Sequence, residues 1–324
     1  MSLAVLLAAG VACEPRESLP SSAADAKRSE KRTKENKESK PAKGPEKGAA
    51  EKPDGESPEH GGWAEMPKPS ASAAKPVAMI ASSKPRFVIF SASWCPGCEA
   101  SVLEDAALAK RFRGKVEVGV ALKESDADFV ASSMSKWLGE MPVWTQKSTK
   151  AVRQACRVSS IPAACLVKGG QVLWRGGPGD GMAVLQGYLD GKLDETKARY
   201  ERGRAAAKQA LDDTTPDTLT RAADTLRGFA SRENSIAWDL VDKDEPSKRE
   251  LELGVTLARD AVDASAGLNF AILDTFALVL WKSGNKVEAA RVGKRVLEVC
   301  DALGSHCGEE RKRAEDFIAA TASM

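Results

Sequence analysis

The sequence predicts an α/β domain, a central mixed sheet flanked by helices, followed by an all-α region and preceded by a segment too polar to fold. Three observations carry this. Arg86 to Ala92 is an apolar, β-branched and aromatic run that leads into Cys95-Pro96-Gly97-Cys98, two thiols one helical turn apart at a strand-to-helix corner. Helical and strand-like runs then alternate, the signature of a parallel sheet with crossovers, and a Gly-Gly turn adds a hairpin. After Leu193 strand patterns disappear, and Ala, Leu, Arg, Glu and Lys recur with helical spacing.

The elements follow in order. Glu99 to Arg113 reads as an amphipathic helix closed by Gly114, and Val116 to Leu122 as a second strand. Ser125, with Asp128 three residues on, is the N-cap of a helix running through Trp137 to Gly139. A short helix around Thr149 to Cys156 leads to Ser160-Ile161-Pro162. Then Ala163 to Val167 and Val172 to Trp174 form a hairpin about Gly169-Gly170, and a last helix runs from Asp180 to Leu189.

Composition limits the chemistry. The chain has 324 residues with a formal net charge of +2, so no field argues for nucleic acid as a partner. His60 and His306 are the only histidines, too few for a histidine-based metal or hydrolytic site. No second Cys or His pair stands at zinc spacing from Cys95 and Cys98, which leaves redox chemistry as their use and no metal expected.

At the N-terminus, Ser2 to Ala9 is a short apolar run followed by Gly10, Val11, Ala12 and Cys13. It resembles a bacterial lipoprotein signal, which implies cleavage after residue 12 and acylation of Cys13. An ordinary secretory signal or a plain apolar patch are the other readings. The run is too short to span a bilayer, which takes roughly 20 apolar residues. From residue 13 to 75 the chain is rich in Lys, Glu, Ser, Pro and Ala with interleaved charge, and is expected to be a disordered tether reaching roughly 40 to 45 Å. Trp63, its one aromatic residue, has no role in that reading.

Residues 76–196 resemble a thioredoxin-fold domain of the periplasmic TlpA-like type. Phe-Ser-Ala-Ser-Trp-Cys-Pro-Gly-Cys at 90–98 matches that family's active-site corner, Ser-Ile-Pro at 160–162 its cis-proline loop, and Val-Leu-Trp-Arg-Gly-Gly-Pro at 172–178 its last-strand motif. The resemblance implies a cis Pro162 and an Ile161 backbone that pairs with a client chain as an added strand. Cys95 at a helix N-terminus faces free N–H groups that favour thiolate, which makes it the nucleophile. Pro96 suits the first helical turn. Cys98, on the same helical face, resolves the mixed disulfide, so the redox-active pair needs no added cofactor. Trp94 shields the site or simply packs.

Two departures bear on mechanism. Cytosolic thioredoxins carry a buried acid six residues before the first cysteine, where this chain has Ile89, so proton transfer must use water or another group. Gly97 precedes the second cysteine where strongly oxidising relatives have histidine, which favours a reductase or isomerase over a primary oxidant.

Among the remaining cysteines, Cys156 and Cys165 read most simply as separate small buried hydrophobes, with a mutual disulfide as the lesser alternative. Cys300 and Cys307 flank a turn that a disulfide could staple. Residues 197–324 are expected to be helical. Thr215-Pro216 is a helix start, and Ala237-Trp238-Asp239 aligns with Ile272-Leu273-Asp274 at a period of about 35 residues. Leu273, Ala277, Leu280, Gly284, Ala289 and Val296 resemble tetratricopeptide spacing, although Gly293 replaces the usual large aromatic. So few repeats should pack on the redox domain, on the preceding helices or on another protein. The other reading of the region is a non-repetitive bundle.

The functional expectation is a lipid-anchored thiol-disulfide oxidoreductase on the periplasmic side of a bacterial envelope, with protein disulfide clients and a membrane or periplasmic electron-exchange partner. The alternative is a non-catalytic scaffold in which the thioredoxin fold and helical repeats bind a partner.

Overall fold

In the computed structural model, the described residues are 63–66, 83–132, 134–139, 141–212, 215–304 and 307–324. The expectations for the signal segment, for Cys13, for His60 and His306, and for most of the tether fall outside these residues.

Among the described residues, five strands form one sheet: β1 (Arg86–Ser91), β2 (Glu117–Leu122), β3 (Val143–Trp144), β4 (Ala163–Lys168) and β5 (Gln171–Gly176), in the order β3-β2-β1-β4-β5. β1 is central. It runs parallel to β2 in the register Arg86↔Glu117 to Ser91↔Leu122 and antiparallel to β4, with Phe90 opposite Ala163. β3 adds parallel to β2 and β5 antiparallel to β4, which makes the sheet mixed. The period of two divides β1 between two cores. Phe87 and Ile89 face α1 (Pro96–Phe112) and α5 (Gly181–Leu189), whereas Val88 and Phe90 face Trp144, Cys156 and Cys165 on the other side. This is a thioredoxin-like α/β fold, followed by helices.

The helix expected from Ser125 to Gly139 is two short ones, α2 (Asp126–Val130) and α3 (Met134–Leu138). Ser125 does cap the first, its Oγ accepting from the Asp128 N–H at 3.4 Å. Phe129 and Leu138 are both fully buried, and one straight helix is replaced by a break that turns each inward. α4 (Gln146–Cys156) starts earlier than the sequence pattern suggested, at an N-cap Thr145.

Seven helices follow among the described residues: α6 (Leu193–Asp212), α7 (Pro216–Leu226), α8 (Ala230–Val241), α9 (Lys248–Ala264), α10 (Phe270–Lys282), α11 (Lys286–Leu303) and α12 (Gly308–Ala322). Thr215 caps α7 as its sequence implied, and Ser247 with Glu250 forms a capping box on α9. The helices pack as successive pairs, α6 on α7, α8 on α9 and α10 on α11, and α12 closes the end. Gly293 has a packing reason here. A Cβ at that position would lie 3.3 Å from the Ala314 carbonyl of α12, so no aromatic side chain fits.

The helices do pack on the α/β domain, and the two share one hydrophobic core. α6 runs unbroken across 196–197, where the sequence suggested a boundary. A line of rings crosses the junction: Phe87 stacks on Trp174 at 6.0 Å, Trp174 meets Tyr200 edge-on at 6.1 Å, and Tyr200 meets Phe229 at 5.1 Å. Asn269, at the N-cap of α10, donates to Glu104 Oε2 of α1 at 3.0 Å.

The tether expectation needs one correction. Trp63 packs on Gly267, with Arg291 4.7 Å and Arg295 5.5 Å from its ring. The Ala64 N–H donates to the Ala266 carbonyl at 3.3 Å, and Arg295 Nη2 donates to the Ala64 carbonyl at 2.9 Å. Residues 63–66 are therefore clipped to the C-terminal helices, because a buried arginine and an aromatic ring cover one another there.

Candidate redox site

The site is built where β1 ends. After Ser91 and Ala92 the chain turns, the Cys95 N–H donating to the Ala92 carbonyl at 3.2 Å, and Cys95 becomes the N-cap of α1 with Pro96 in its first turn. Cys95 Sγ accepts the Cys98 N–H at 3.3 Å, one of the orphan donors of the helix N-terminus. Cys95 and Cys98 are joined as a disulfide, with Cα atoms 5.2 Å apart. Cys95 is 7% exposed and Cys98 1%, so the outer sulfur is the one a partner can approach. Trp94 stands out beside them at 62% exposure with Lys123 Nζ 5.5 Å from its ring, so it is not packed into the core.

The second half of the site comes from the loop between α4 and β4. Its Ile161–Pro162 bond is cis, and Ile161 packs on the cluster of Ala92, Cys95 and Cys98. Pro162 Cδ lies 3.5 Å from where a Gly97 Cβ would stand, an ordinary van der Waals distance, so the proline lies against the dithiol turn with or without a side chain at that position. The structure thus brings together Trp94, Cys95, Pro96, Gly97, Cys98, Ile161 and Pro162, residues more than sixty positions apart.

Ile89 is fully buried in the apolar core under α1. α1 itself carries a buried acid, two turns away from the dithiol. Asp105 lies two turns beyond Cys98 on the same helix face, and Ser101 Oγ between them is 3.2 Å from both the Cys98 carbonyl and Asp105 Oδ2. Burial and the neighbouring Glu104 charge hold the Asp105 carboxyl well above the usual range.

Sequence reasoning missed Glu124. Its Oε1 accepts the Ser93 N–H at 2.8 Å, which fixes the residue before Trp94, and its side chain is buried although Oε2 finds no partner among the described residues. Arg153 of α4 stacks 5.4 Å over Phe90; burial pushes its guanidinium down and the Glu124 charge opposes that. No short-range pattern flags an acid thirty-one positions from the residue it holds.

The other cysteines among the described residues are also paired. Cys156 joins Cys165 and Cys300 joins Cys307. For Cys156 and Cys165 this replaces the expectation of separate buried thiols: the end of α4 lies directly over the middle of β4, a proximity that sequence spacing did not reveal. Among the described residues no cluster of His, Cys, Asp and Glu could hold a metal, and no helix is long and apolar enough to cross a membrane.

No family model matches the chain, and no curated protein does. Solved structures do. A protein described as a thiol:disulfide interchange protein DsbE from Chlorobium tepidum is similar at 18% identity and a TM-score of 0.28, over 39% of this chain and 98% of that one. The thioredoxin domain of a thiol-disulfide oxidoreductase from Bacteroides vulgatus is similar at 14% identity and a TM-score of 0.25, over 29% of this chain and 69% of that one.

Proposed function

We propose that this chain is an exported, lipid-anchored thiol-disulfide oxidoreductase acting on protein disulfides, as a reductase or isomerase rather than a primary oxidant. The observation that carries the reading is the dithiol at the N-terminus of α1, outer Cys95 and inner Cys98, with the Ile161–Pro162 loop laid against it. In the reduced protein the Cys95 thiolate, favoured by helix N–H groups, attacks one sulfur of a client disulfide. The client's other sulfur leaves as a thiolate and takes a proton. Cys98, once deprotonated, attacks Cys95, releases the second client thiol and leaves the Cys95–Cys98 disulfide seen in the structure. Two electrons have passed to the client, and an envelope-side dithiol donor restores the pair.

Export and acylation at Cys13 rest on the leader's resemblance to a lipoprotein signal, and three disulfides suit an oxidising compartment. The tether then joins a lipid to a redox domain clipped at Trp63 to its own helices, which offer a surface for a client or donor. Protein lacking residues 1–12 should reduce insulin in the presence of dithiothreitol, and Cys95→Ser should abolish that turnover. A Cys95→Ser variant as active as its parent would leave the scaffold reading in place.

A further inference from the structure

The loop that carries Ile161 and Pro162 leaves α4 at Arg157 and enters β4 at Ala163. Among the described residues, backbone hydrogen bonding stops at Val158, whose N–H donates to the Arg153 carbonyl at 3.1 Å, and resumes at Ala163 opposite Phe90. Ser159 and Ser160 are exposed between them. The two roots are tied by one hydrogen bond, from Arg175 Nη2 of β5 to the Ala155 carbonyl at 2.9 Å, and by a covalent bond. Cys156, the last residue of α4, is bonded to Cys165, the third of β4, with Cα atoms 6.3 Å apart. The bond closes a ring over residues 156–165, and its sulfurs lie buried on the far side of the sheet with Val88, Phe90 and Trp144. Ile161 packs on that cluster and on the Cys95–Cys98 cluster alike, so one side chain spans the gap between the two disulfides.

We propose that the Cys156–Cys165 bond is a positioning device for client capture: it holds Ile161 and Pro162 against the dithiol in place of the hydrogen bonds the loop lacks. The inference rests on the oxidoreductase reading and deepens it. A protein client laid along Ile161 needs that backbone already ordered, because ordering it on binding would be subtracted from affinity. A small disulfide that meets only Cys95 does not need it.

The test is the double variant Cys156→Ala/Cys165→Ala, which leaves no stray thiol. Against its parent, KM for insulin should rise about ten-fold with kcat held within about two-fold. The rate of reduced Cys95 with dithionitrobenzoate should not change, and hydrogen exchange should quicken over residues 157–164 with β1 still protected. An unchanged insulin KM overturns the proposal. So does a fall in both reactions together with lost protection in β1, which marks a bond needed only for the fold. If the double alanine variant does not fold, Cys156→Val/Cys165→Ala refills the apolar space and is read the same way; failure of both to fold counts against positioning. A parent without insulin turnover overturns the oxidoreductase reading instead, and the exchange pattern alone then decides whether the bond orders the loop.

Discussion

Replacing Glu104 by glutamine should stabilise the protein above neutral pH and leave it unchanged in acid. Glu104 lies buried where α1 meets the helical region, accepting from Asn269 Nδ2 through Oε2, with Gly179 packed against Oε1 so closely that a Cβ there would sit 3.3 Å away. Burial pushes its carboxyl from 4.5 up to about 7; the Asn269 hydrogen bond works against this and the Asp180 charge adds to it. Between those two values the folded state holds a proton that the unfolded state has released, so stability falls as pH rises. The loss is about 1.4 kcal/mol per pH unit and about 3 kcal/mol across the window. Below pH 4.5 both states are protonated and the contribution is intact; above about 7 it is gone. Glutamine keeps an oxygen for Asn269 and never ionises, so Glu104→Gln should match its parent in acid and exceed it by about 3 kcal/mol at pH 8. Glu233, pushed up to about 9, titrates in both proteins and cancels in the difference, while Asp105 and Asp180, whose charges couple to Glu104, are eased by its loss and move the difference the same way. Urea unfolding followed by tryptophan fluorescence at stepped pH measures this. Stability curves that run parallel from pH 5 to pH 8 would refute the reasoning.

Two further perturbations probe the helical region. Trp63→Ala removes the ring that covers Arg291 and Arg295, which should lower stability by roughly 1–2 kcal/mol and free the Ala64 N–H for rapid hydrogen exchange; an Ala64 amide as protected as before would mean the clip does not depend on the ring. Cys300→Ser/Cys307→Ser opens a loop with a sequence separation of 7, worth about 2.5 kcal/mol in the chain-entropy account, with insulin turnover unaffected. A midpoint in urea equal to the parent's would show that α11 and α12 are held by packing alone.

The central strands were legible because β1 and β2 are buried on both faces and so read as continuous apolar runs. β3 was not, since two residues cannot display a period. The dithiol and the Ile161–Pro162 loop could be placed together only through the family resemblance, because more than sixty residues separate them. Glu124 and Trp63 were invisible for a related reason. Each acts through a contact distant in the chain, Glu124 on Ser93 and Trp63 on α11, and neither sits in a local pattern that announces it. The break between α2 and α3 shows tertiary burial overriding a helical pattern, with Phe129 and Leu138 both drawn into the core. The pairing of Cys156 with Cys165 turned on where α4 ends over β4, which spacing alone does not encode.

The division of labour between outer Cys95 and inner Cys98 is the claim on which the rest depends, and trapping tests it most directly. Reduced Cys98→Ala, mixed with a disulfide-containing protein and quenched in acid, should accumulate a covalent adduct that mass spectrometry maps to Cys95 and that dithiothreitol releases. Cys95→Ala should form none at Cys98, which lies 1% exposed. Adducts forming equally at Cys98, or at neither residue, would contradict the account.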